Sequence, residues 1–109
     1  MSEIELNNEN FDQEINKDVP IIVDFWASWC GPCQMLGPVF EELSKEYDAT
    51  KLRFAKCSTE TSPEPPSKYG VTGIPCLILF KNGKEVDRIV GFMPKDALKA
   101  KIDEILSKA

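Results

Sequence analysis

Two cysteines separated by two residues are the clearest chemical feature of the sequence. Cys30 and Cys33 enclose Gly31 and Pro32, and the apolar run 21–27 precedes them. A disulfide between such close cysteines removes little entropy from the unfolded chain, so it is a poor structural cross-link. It is better suited to forming and breaking, and the pair therefore predicts thiol–disulfide chemistry.

The pair lies where a predicted strand ends and a predicted helix, reaching about residue 47, begins. The first turn of a helix has free N–H groups and the positive end of the dipole, which favour a nucleophilic thiolate. Pro32 suits the first helical turn, and Gly31 is expected to allow a sharp turn out of the strand. We predict that Cys30 is the attacking thiol and the more exposed one. Cys33, one turn further on, would then resolve the mixed disulfide.

A zinc site is the alternative for two cysteines at this spacing. Such a site needs a second close pair of ligands. The remaining cysteines, Cys57 and Cys76, stand alone, and the sequence contains no histidine. We therefore expect no metal and no cofactor, and we interpret Cys57 as a core residue.

Asp24 is the charged residue within the apolar run 21–27. A lone carboxylate among apolar neighbours is costly unless it is paired or protonated, and burial raises its pKa. Its place six residues before Cys30 suits a proton acceptor for the thiol of Cys33. A structural ion pair with Lys56 on the next strand is the alternative, and the two roles are compatible.

Two tryptophans flank the loop before the cysteines. Trp26 lies inside the apolar run, and we predict that it packs beneath the site. Trp29 lies in the loop itself, where an aromatic side chain favours contact with a partner.

Composition predicts one soluble globular domain spanning residues 1–109. Hydrophobic residues make up 42% and charged residues 28%, and the net charge is −5. An acidic chain without a basic stripe argues against nucleic acid as a partner. The N-terminus is acidic and lacks an apolar segment, so we expect no signal peptide and no membrane association. We expect a monomer in the cytoplasm.

The apolar patterns predict an α/β fold with a mixed sheet of about five strands flanked by helices. The parallel strands require a right-handed crossover. Asn8 is predicted to cap the first helix, Asn82-Gly83 to form a hairpin turn, and Pro94 to start the last helix. The predicted strands cover 4–6, 21–27, 52–57, 76–80 and 86–90.

The sequence resembles the thioredoxin family over nearly its whole length, from about Ile4 to the C-terminal helix. The matching segments, in the family's order and spacing, are 23–27, 29–33, 69–71, 73–75, 80–83 and 90–91. The resemblance implies the thioredoxin fold and reduction of protein disulfides by dithiol–disulfide exchange. It also implies that a thioredoxin reductase reduces the protein again. The family carries an aspartate and a lysine at the places of Asp24 and Lys56.

The resemblance also implies how substrates bind. Pro75 is expected to be cis and to face the disulfide, and the backbone of Ile74 is expected to pair with an extended substrate. Together with the loop, these residues form the expected substrate-binding surface: Trp29, Gly31, Pro32, Gly73, Ile74, Pro75 and Gly91.

Several interpretations stay open at this point. The Gly31-Pro32 dipeptide resembles reducing members of the family, whereas an oxidase or isomerase is an alternative with the same chemistry. A non-catalytic subunit that binds partners around Trp29 is an alternative of another class. Cys76 stands where the family usually has threonine, so it is either a buried packing residue, which we favour, or a third redox group.

Overall fold

The computed structural model describes residues 3–109, which form nine helices and strands. In chain order these are β1 (Glu3–Leu6), α1 (Phe11–Ile15), β2 (Ile21–Trp26), α2 (Gly31–Ser44), β3 (Arg53–Ser58), α3 (Glu64–Lys68), β4 (Cys76–Lys81), β5 (Lys84–Val90) and α4 (Lys95–Leu106).

The five strands form one mixed sheet in the order β1-β3-β2-β4-β5. The strands β1, β3 and β2 run parallel, whereas β4 is antiparallel to β2 and β5 is antiparallel to β4. The central strand β2 is buried from Ile21 to Phe25, as expected for a strand covered on both faces. The predicted mixed α/β sheet is confirmed.

Each face of the sheet has its own hydrophobic core. The helices α2 and α4 pack on one face with Ile22, and α1 packs on the other face with Val23 and Phe25. Because side chains alternate along a strand, Asp24 points to the same face as Ile22, beneath α2. The strand thus places one carboxylate under the helix that carries the cysteines.

The turn between β4 and β5 has the predicted hairpin geometry. Asn82 has a φ of 54° and Gly83 a φ of 80°, the two left-handed positions of a type I′ turn. A Cβ at Gly83 would also lie 2.9 Å from the side-chain oxygen of Asn16, so glycine is required there for space as well.

The predicted cap of the first helix is wrong. Helix α1 begins at Phe11, and the side-chain oxygen of Asn7 already accepts the N–H groups of Glu9 and Asn10 at 2.9 and 2.8 Å. Asn8 instead accepts the N–H of Glu64 at 3.2 Å, at the start of α3. The asparagine therefore caps a helix remote in sequence.

Two helix boundaries also differ from the prediction. Helix α2 ends at Ser44 rather than near Tyr47, whose hydroxyl donates to Asp103 of α4 at 2.6 Å. Pro94 is the N-cap of α4 rather than its first residue. Among residues 3–109, no helix has the length and apolar character needed to cross a bilayer.

Candidate active site

Cys30 and Cys33 lie at the junction of β2 and α2, as the sequence predicts. Their sulfurs form a disulfide, and their Cα atoms are 5.2 Å apart. Cys30 is the N-cap of α2, and its sulfur accepts the backbone N–H of Cys33 at 3.2 Å. That hydrogen bond uses one of the free donors at the helix start, an arrangement that stabilises negative charge on the sulfur of Cys30.

Gly31 and Pro32 occupy the first turn of α2. The chain turns after β2 at Ser28 and Trp29, where the N–H of Cys30 donates to the carbonyl of Ala27 at 3.3 Å, and Gly31 has no positive φ. The expected reason for a glycine at position 31 is therefore wrong. A Cβ there would meet nothing within 4 Å, so this end of the helix is open to an approaching partner.

The predicted difference in exposure between the two cysteines is also wrong. Cys30 is 5% exposed and Cys33 4%, since both pack in a small apolar cluster with Ala27, Trp26 and Ile74. The two sulfurs differ in what surrounds them. The sulfur of Cys30 lies 3.8 Å from the carbonyl oxygen of Ile74, whereas Cys33 lines a cavity that Asp24 also lines.

This cavity, of about 330 Å³, lies between β2, β3 and α2 and is called the acid cavity below. Its lining residues are Asp24, Trp26, Cys33, Gln34, Gly37, Pro38, Glu41 and Lys56. The structure thus brings the predicted proton acceptor and the predicted resolving thiol to the wall of one cavity.

Asp24 is 1% exposed, and its Oδ1 has no hydrogen-bond partner. Burial raises the pKa of Asp24 to about 7, against the opposing positive charge of Lys56 and with a further contribution from Glu3. Glu3 on β1 is itself half-buried, and burial raises its pKa as well. Sequence analysis did not single out Glu3, which lies one residue before the predicted strand 4–6.

Lys56 is the direct neighbour of Asp24 across β2 and β3, but the two side chains form no ion pair. The Lys56 ammonium lies 4.9 Å from the centre of the Trp26 ring instead. The predicted Asp24–Lys56 ion pair is therefore wrong in its geometry. A lysine that lies over an indole near solvent keeps its hydration, whereas pairing with a buried carboxylate would remove it.

Trp26 ends β2 and is partly exposed; it packs against the cysteine cluster, and the Lys56 ammonium lies over its ring. Trp29 is 72% exposed in the loop before Cys30. The two indoles therefore lie where the sequence analysis expects them, one packed against the disulfide cluster and one open to solvent.

The segment before β4 faces the disulfide. The Ile74–Pro75 peptide bond is cis, and the carbonyl of Pro75 accepts the N–H of Gly91 at 2.8 Å. Gly91 has a φ of 93°, which favours glycine, and a Cβ on Gly73 would lie 3.5 Å from Val90. The structure therefore joins Gly73, Ile74, Pro75 and Gly91 into one surface.

A groove of about 520 Å³ extends this surface and carries no charged side chain in its lining. It runs between Trp29 and Ile74 and is called the tryptophan groove below. Its lining residues are Trp29, Thr59, Pro63, Pro66, Ser67, Gly70, Val71, Thr72 and Ile74. Sequence analysis named Trp29 and Ile74 but not the other lining residues, although the proline-rich stretch 63–66 departs from the family pattern and indicates altered partner selectivity.

Cys57 and Cys76 are free and buried on either side of Phe25, on the sheet face opposite α2. Burial raises the pKa of Cys57 to about 11 and also raises that of Cys76. Cys57 is a core residue, as predicted. Cys76 is packed in the same core, and whether it reacts stays a prediction.

Comparisons of the chain with family models and with known proteins identify the same family. Residues 2–104 match the family model described as Thioredoxin. A thioredoxin of Alicyclobacillus acidocaldarius subsp. acidocaldarius is 45% identical over 101 residues, which cover 93% of this chain and 95% of that protein. Thioredoxin 1 of Nostoc sp. is 41% identical over 103 residues, which cover 94% of this chain and 95% of that protein.

Other similar proteins include a chloroplastic thioredoxin and a solved structure. A chloroplastic M-type thioredoxin of Pisum sativum is 41% identical over 93% of this chain and 59% of that protein. The crystal structure of Malassezia sympodialis thioredoxin superposes with a TM-score of 0.85 at 33% identity, covering 94% of this chain and 91% of that chain.

Proposed function

The chain belongs to the thioredoxin family and is a protein-disulfide oxidoreductase that acts by dithiol–disulfide exchange, and on this premise we propose a role for each residue of its site. Cys30 attacks the substrate and Cys33 resolves the intermediate. Asp24 accepts the proton of Cys33. The surface around Trp29 and Ile74 holds the substrate chain. The observation that carries the proposal is a cysteine pair at a helix start with a buried carboxylate in the same cavity.

The first step is attack by the reduced form. The thiolate of Cys30 bonds to one sulfur of the substrate disulfide, the substrate S–S bond breaks, and the second substrate sulfur leaves as a thiolate that takes up a proton. The N–H of Cys33 that points at the Cys30 sulfur supports the attacking charge. Because the two cysteines are almost equally buried, this difference in environment rather than exposure assigns the attack to Cys30.

The second step is resolution. Cys33 loses its proton to Asp24, and its thiolate attacks the Cys30 sulfur of the mixed disulfide. The Cys30–Cys33 bond forms, the Cys30–substrate bond breaks, and the substrate sulfur leaves as a thiolate that takes up a proton, so two electrons have passed from the cysteine pair to the substrate. A base with a pKa of about 7 is matched to proton transfer at neutral pH, and Asp24 lies in the acid cavity with Cys33.

The substrate is a polypeptide whose cysteine must reach the sulfur of Cys30. Gly31, Gly73 and Gly91 add no side chain to this surface, and the carbonyl of Ile74 lies 3.8 Å from the sulfur of Cys30. The chain flanking the substrate cysteine follows the tryptophan groove, whose uncharged lining suits an extended segment without charges. Aromatic side chains such as the exposed Trp29 favour such contacts.

We propose that a thioredoxin reductase returns the electrons to the Cys30–Cys33 disulfide, as the family implies. The protein works as a monomer in a reducing compartment, where Cys57 and Cys76 stay free. Bacterial relatives support the cytoplasm, and the chloroplastic M-type relatives make a plastid the competing location.

Trapping of intermediates tests the order of the two cysteines. In Cys33→Ser the resolving thiol is absent, so we expect mixed disulfides between Cys30 and substrate proteins to accumulate. In Cys30→Ser the attacker is absent, and we expect no trapped species. The measurement is a non-reducing gel after a purified protein with a reducible disulfide is mixed with each reduced variant. Equal trapping by both variants, or trapping by Cys30→Ser alone, contradicts the assignment.

A further inference from the structure

Ser28, at the middle of the loop between β2 and α2, has both backbone groups held by side chains from other elements. Its N–H donates to Oε1 of Glu60 at 2.6 Å. Its carbonyl accepts Nε2 of Gln34 at 2.5 Å. Glu60 follows β3 and Gln34 lies in the second turn of α2, so the loop is held from two sides at one residue.

A third contact holds the start of the same loop. The carbonyl of Trp26 accepts both the backbone N–H of Thr59 at 2.9 Å and its hydroxyl at 3.2 Å. Thr59 and Glu60 are consecutive, so the segment after β3 binds the segment after β2 at two successive points. Trp29 and Cys30 come directly after the held residue Ser28.

The segment that carries Glu60 is itself well ordered by hydrogen bonds. The Ser58 hydroxyl accepts the N–H groups of Glu60 and Thr61 at 3.3 and 3.4 Å, and its carbonyl accepts that of Ser62 at 3.0 Å. The Ser28 N–H holds the pKa of Glu60 below its usual value, so the carboxylate is ionised at neutral pH. A hydrogen bond from N–H to an ionised carboxylate is short and stronger than a neutral one.

We propose that Glu60 and Gln34 are positioning residues for the exchange reaction, which keep Trp29 and Cys30 in place when the Cys30–Cys33 bond is open. The disulfide ties Cys30 to Cys33 only in the oxidised form. Besides the disulfide, the backbone of Cys30 donates to the carbonyl of Ala27 at a long 3.3 Å and accepts the N–H of Gln34 at 3.1 Å. The contacts at Ser28 then hold the loop at the step where the position of the sulfur matters most.

The inference rests on the proposed role of Cys30 as the attacking thiol. Its test compares Glu60→Ala with Glu60→Gln in the full-length reduced protein. Both variants remove the same charge, but the glutamine side chain keeps an oxygen that can accept the Ser28 N–H. Glu60 is exposed on the surface, so both variants are expected to fold, and their thermal midpoints check this.

Three quantities are measured on each variant: amide exchange at Ser28, kcat/KM and the alkylation rate of Cys30. In Glu60→Ala, amide hydrogen exchange at Ser28 should be faster by about tenfold because the acceptor is gone. The kcat/KM for reduction of a protein disulfide should fall by about fivefold. The rate of alkylation of Cys30 by iodoacetamide should also change, and it reports the altered loop independently of any protein substrate. Glu60→Gln should stay within about twofold of the wild type in the Ser28 exchange rate, in kcat/KM and in the Cys30 alkylation rate, since it restores the hydrogen bond. Gln34→Ala, which frees the other side of Ser28, should lower kcat/KM in the same way.

Three results overturn the proposal. Unchanged exchange at Ser28 in Glu60→Ala means that the contact does not hold the loop. Faster exchange with wild-type kcat/KM means that the contact does not serve the reaction. Equal losses in Glu60→Ala and Glu60→Gln mean that charge, not the hydrogen bond, is responsible. Failure of the Cys33→Ser trapping test would instead remove the role of Cys30 while leaving the Ser28 exchange result intact.

Discussion

At the scale of single residues, Asp24 shows how burial converts an ordinary carboxylate into a base for neutral pH. Its side chain is 1% exposed and one oxygen has no hydrogen-bond partner in the protein, so burial makes its charged form costly. Lys56 opposes this effect only from a distance, because its ammonium lies over Trp26. The same isolation that makes the charged form costly gives Asp24 a strong affinity for the proton of Cys33.

The stability of the protein should therefore depend on pH through Asp24. The folded pKa is about 7 and the ordinary value 3.8, so between these values the folded state holds a proton that the unfolded state has released. The contribution of this bound proton to the free energy of unfolding is fully present below the unfolded pKa and is lost as the pH rises through the folded pKa. The linked loss in the free energy of unfolding is roughly 4 kcal/mol.

Asp24→Asn should remove this pH-dependent loss of stability. The free energy of unfolding of the variant should therefore exceed that of the wild type by an amount that grows from about pH 4 to about pH 7. Urea unfolding at a series of pH values measures the difference. Parallel stability curves for the two proteins over this range would show that Asp24 is not a buried acid with a raised pKa.

The same substitution should slow the resolution step, because the amide of asparagine does not accept the Cys33 proton. Single-turnover release of substrate from the mixed disulfide, followed across neutral pH, measures this step. Attack by Cys30 is the internal control and should change little. A resolution rate equal to that of the wild type at every pH would leave Asp24 without a role in proton transfer.

At the scale of elements, Arg53 at the start of β3 secures the connection between α1 and β2. Its Nη2 donates to the carbonyls of Glu14 and Val19, each at 2.9 Å. Its Nη1 forms an ion pair with Glu14 at 3.2 Å. Arg53 pairs with Ile21 at the opposite end of β2 from the cysteines, so this anchor supports the fold rather than the chemistry.

Arg53→Met should destabilise the protein without changing the activity of the folded form. Methionine keeps the apolar stem, but the two carbonyls lose their donor, which costs about 1–3 kcal/mol. The urea midpoint reports the loss, and kcat/KM at low temperature reports the site. Arg53→Lys is the matched control. Its urea midpoint should fall between those of Arg53→Met and the wild type, because an ammonium cannot reproduce the forked geometry of the guanidinium. A stability equal to that of the wild type would mean that water replaces the guanidinium fully.

At the scale of the whole molecule, the sheet connects two cores that share β2 as their centre. The core under α2 and α4 and the core under α1 are built on alternate residues of the same strands. Every residue from Ile21 to Phe25 is buried, so both cores depend on β2, and loss of packing in one core would disturb the strand that the other core needs. The chain should therefore behave as a single domain.

The expected consequence is one cooperative unfolding transition. Tryptophan emission reports the active-site end through Trp26 and Trp29, and far-ultraviolet circular dichroism reports the helices and the sheet. The two transitions in urea should coincide, and the calorimetric and van't Hoff enthalpies should agree. Separate midpoints, with the tryptophan signal changing first, would show that the active-site end unfolds as a unit of its own.

Much of the fold and the chemistry followed from the sequence because these features depend on neighbouring residues. The spacing of Cys30 and Cys33, the apolar run of β2 before them and the Asn82-Gly83 turn are all local patterns. Local periodicity and turn chemistry indicate elements directly, and the family resemblance added the fold, whereas the order of the strands came from the structure. The place of the reactive pair at a strand–helix junction is therefore predictable without any tertiary contact.

Contacts between distant segments were decided only by the tertiary structure. Asn8 caps a helix 56 residues away, and Glu60 binds Ser28 across 32 residues. The Lys56 ammonium lies over Trp26 rather than against Asp24. A polar side chain takes the partner that packing brings within about 3 Å, and that choice balances desolvation against hydrogen bonding. Sequence distance carries no information on that balance, so these partners emerge only when the elements are packed together.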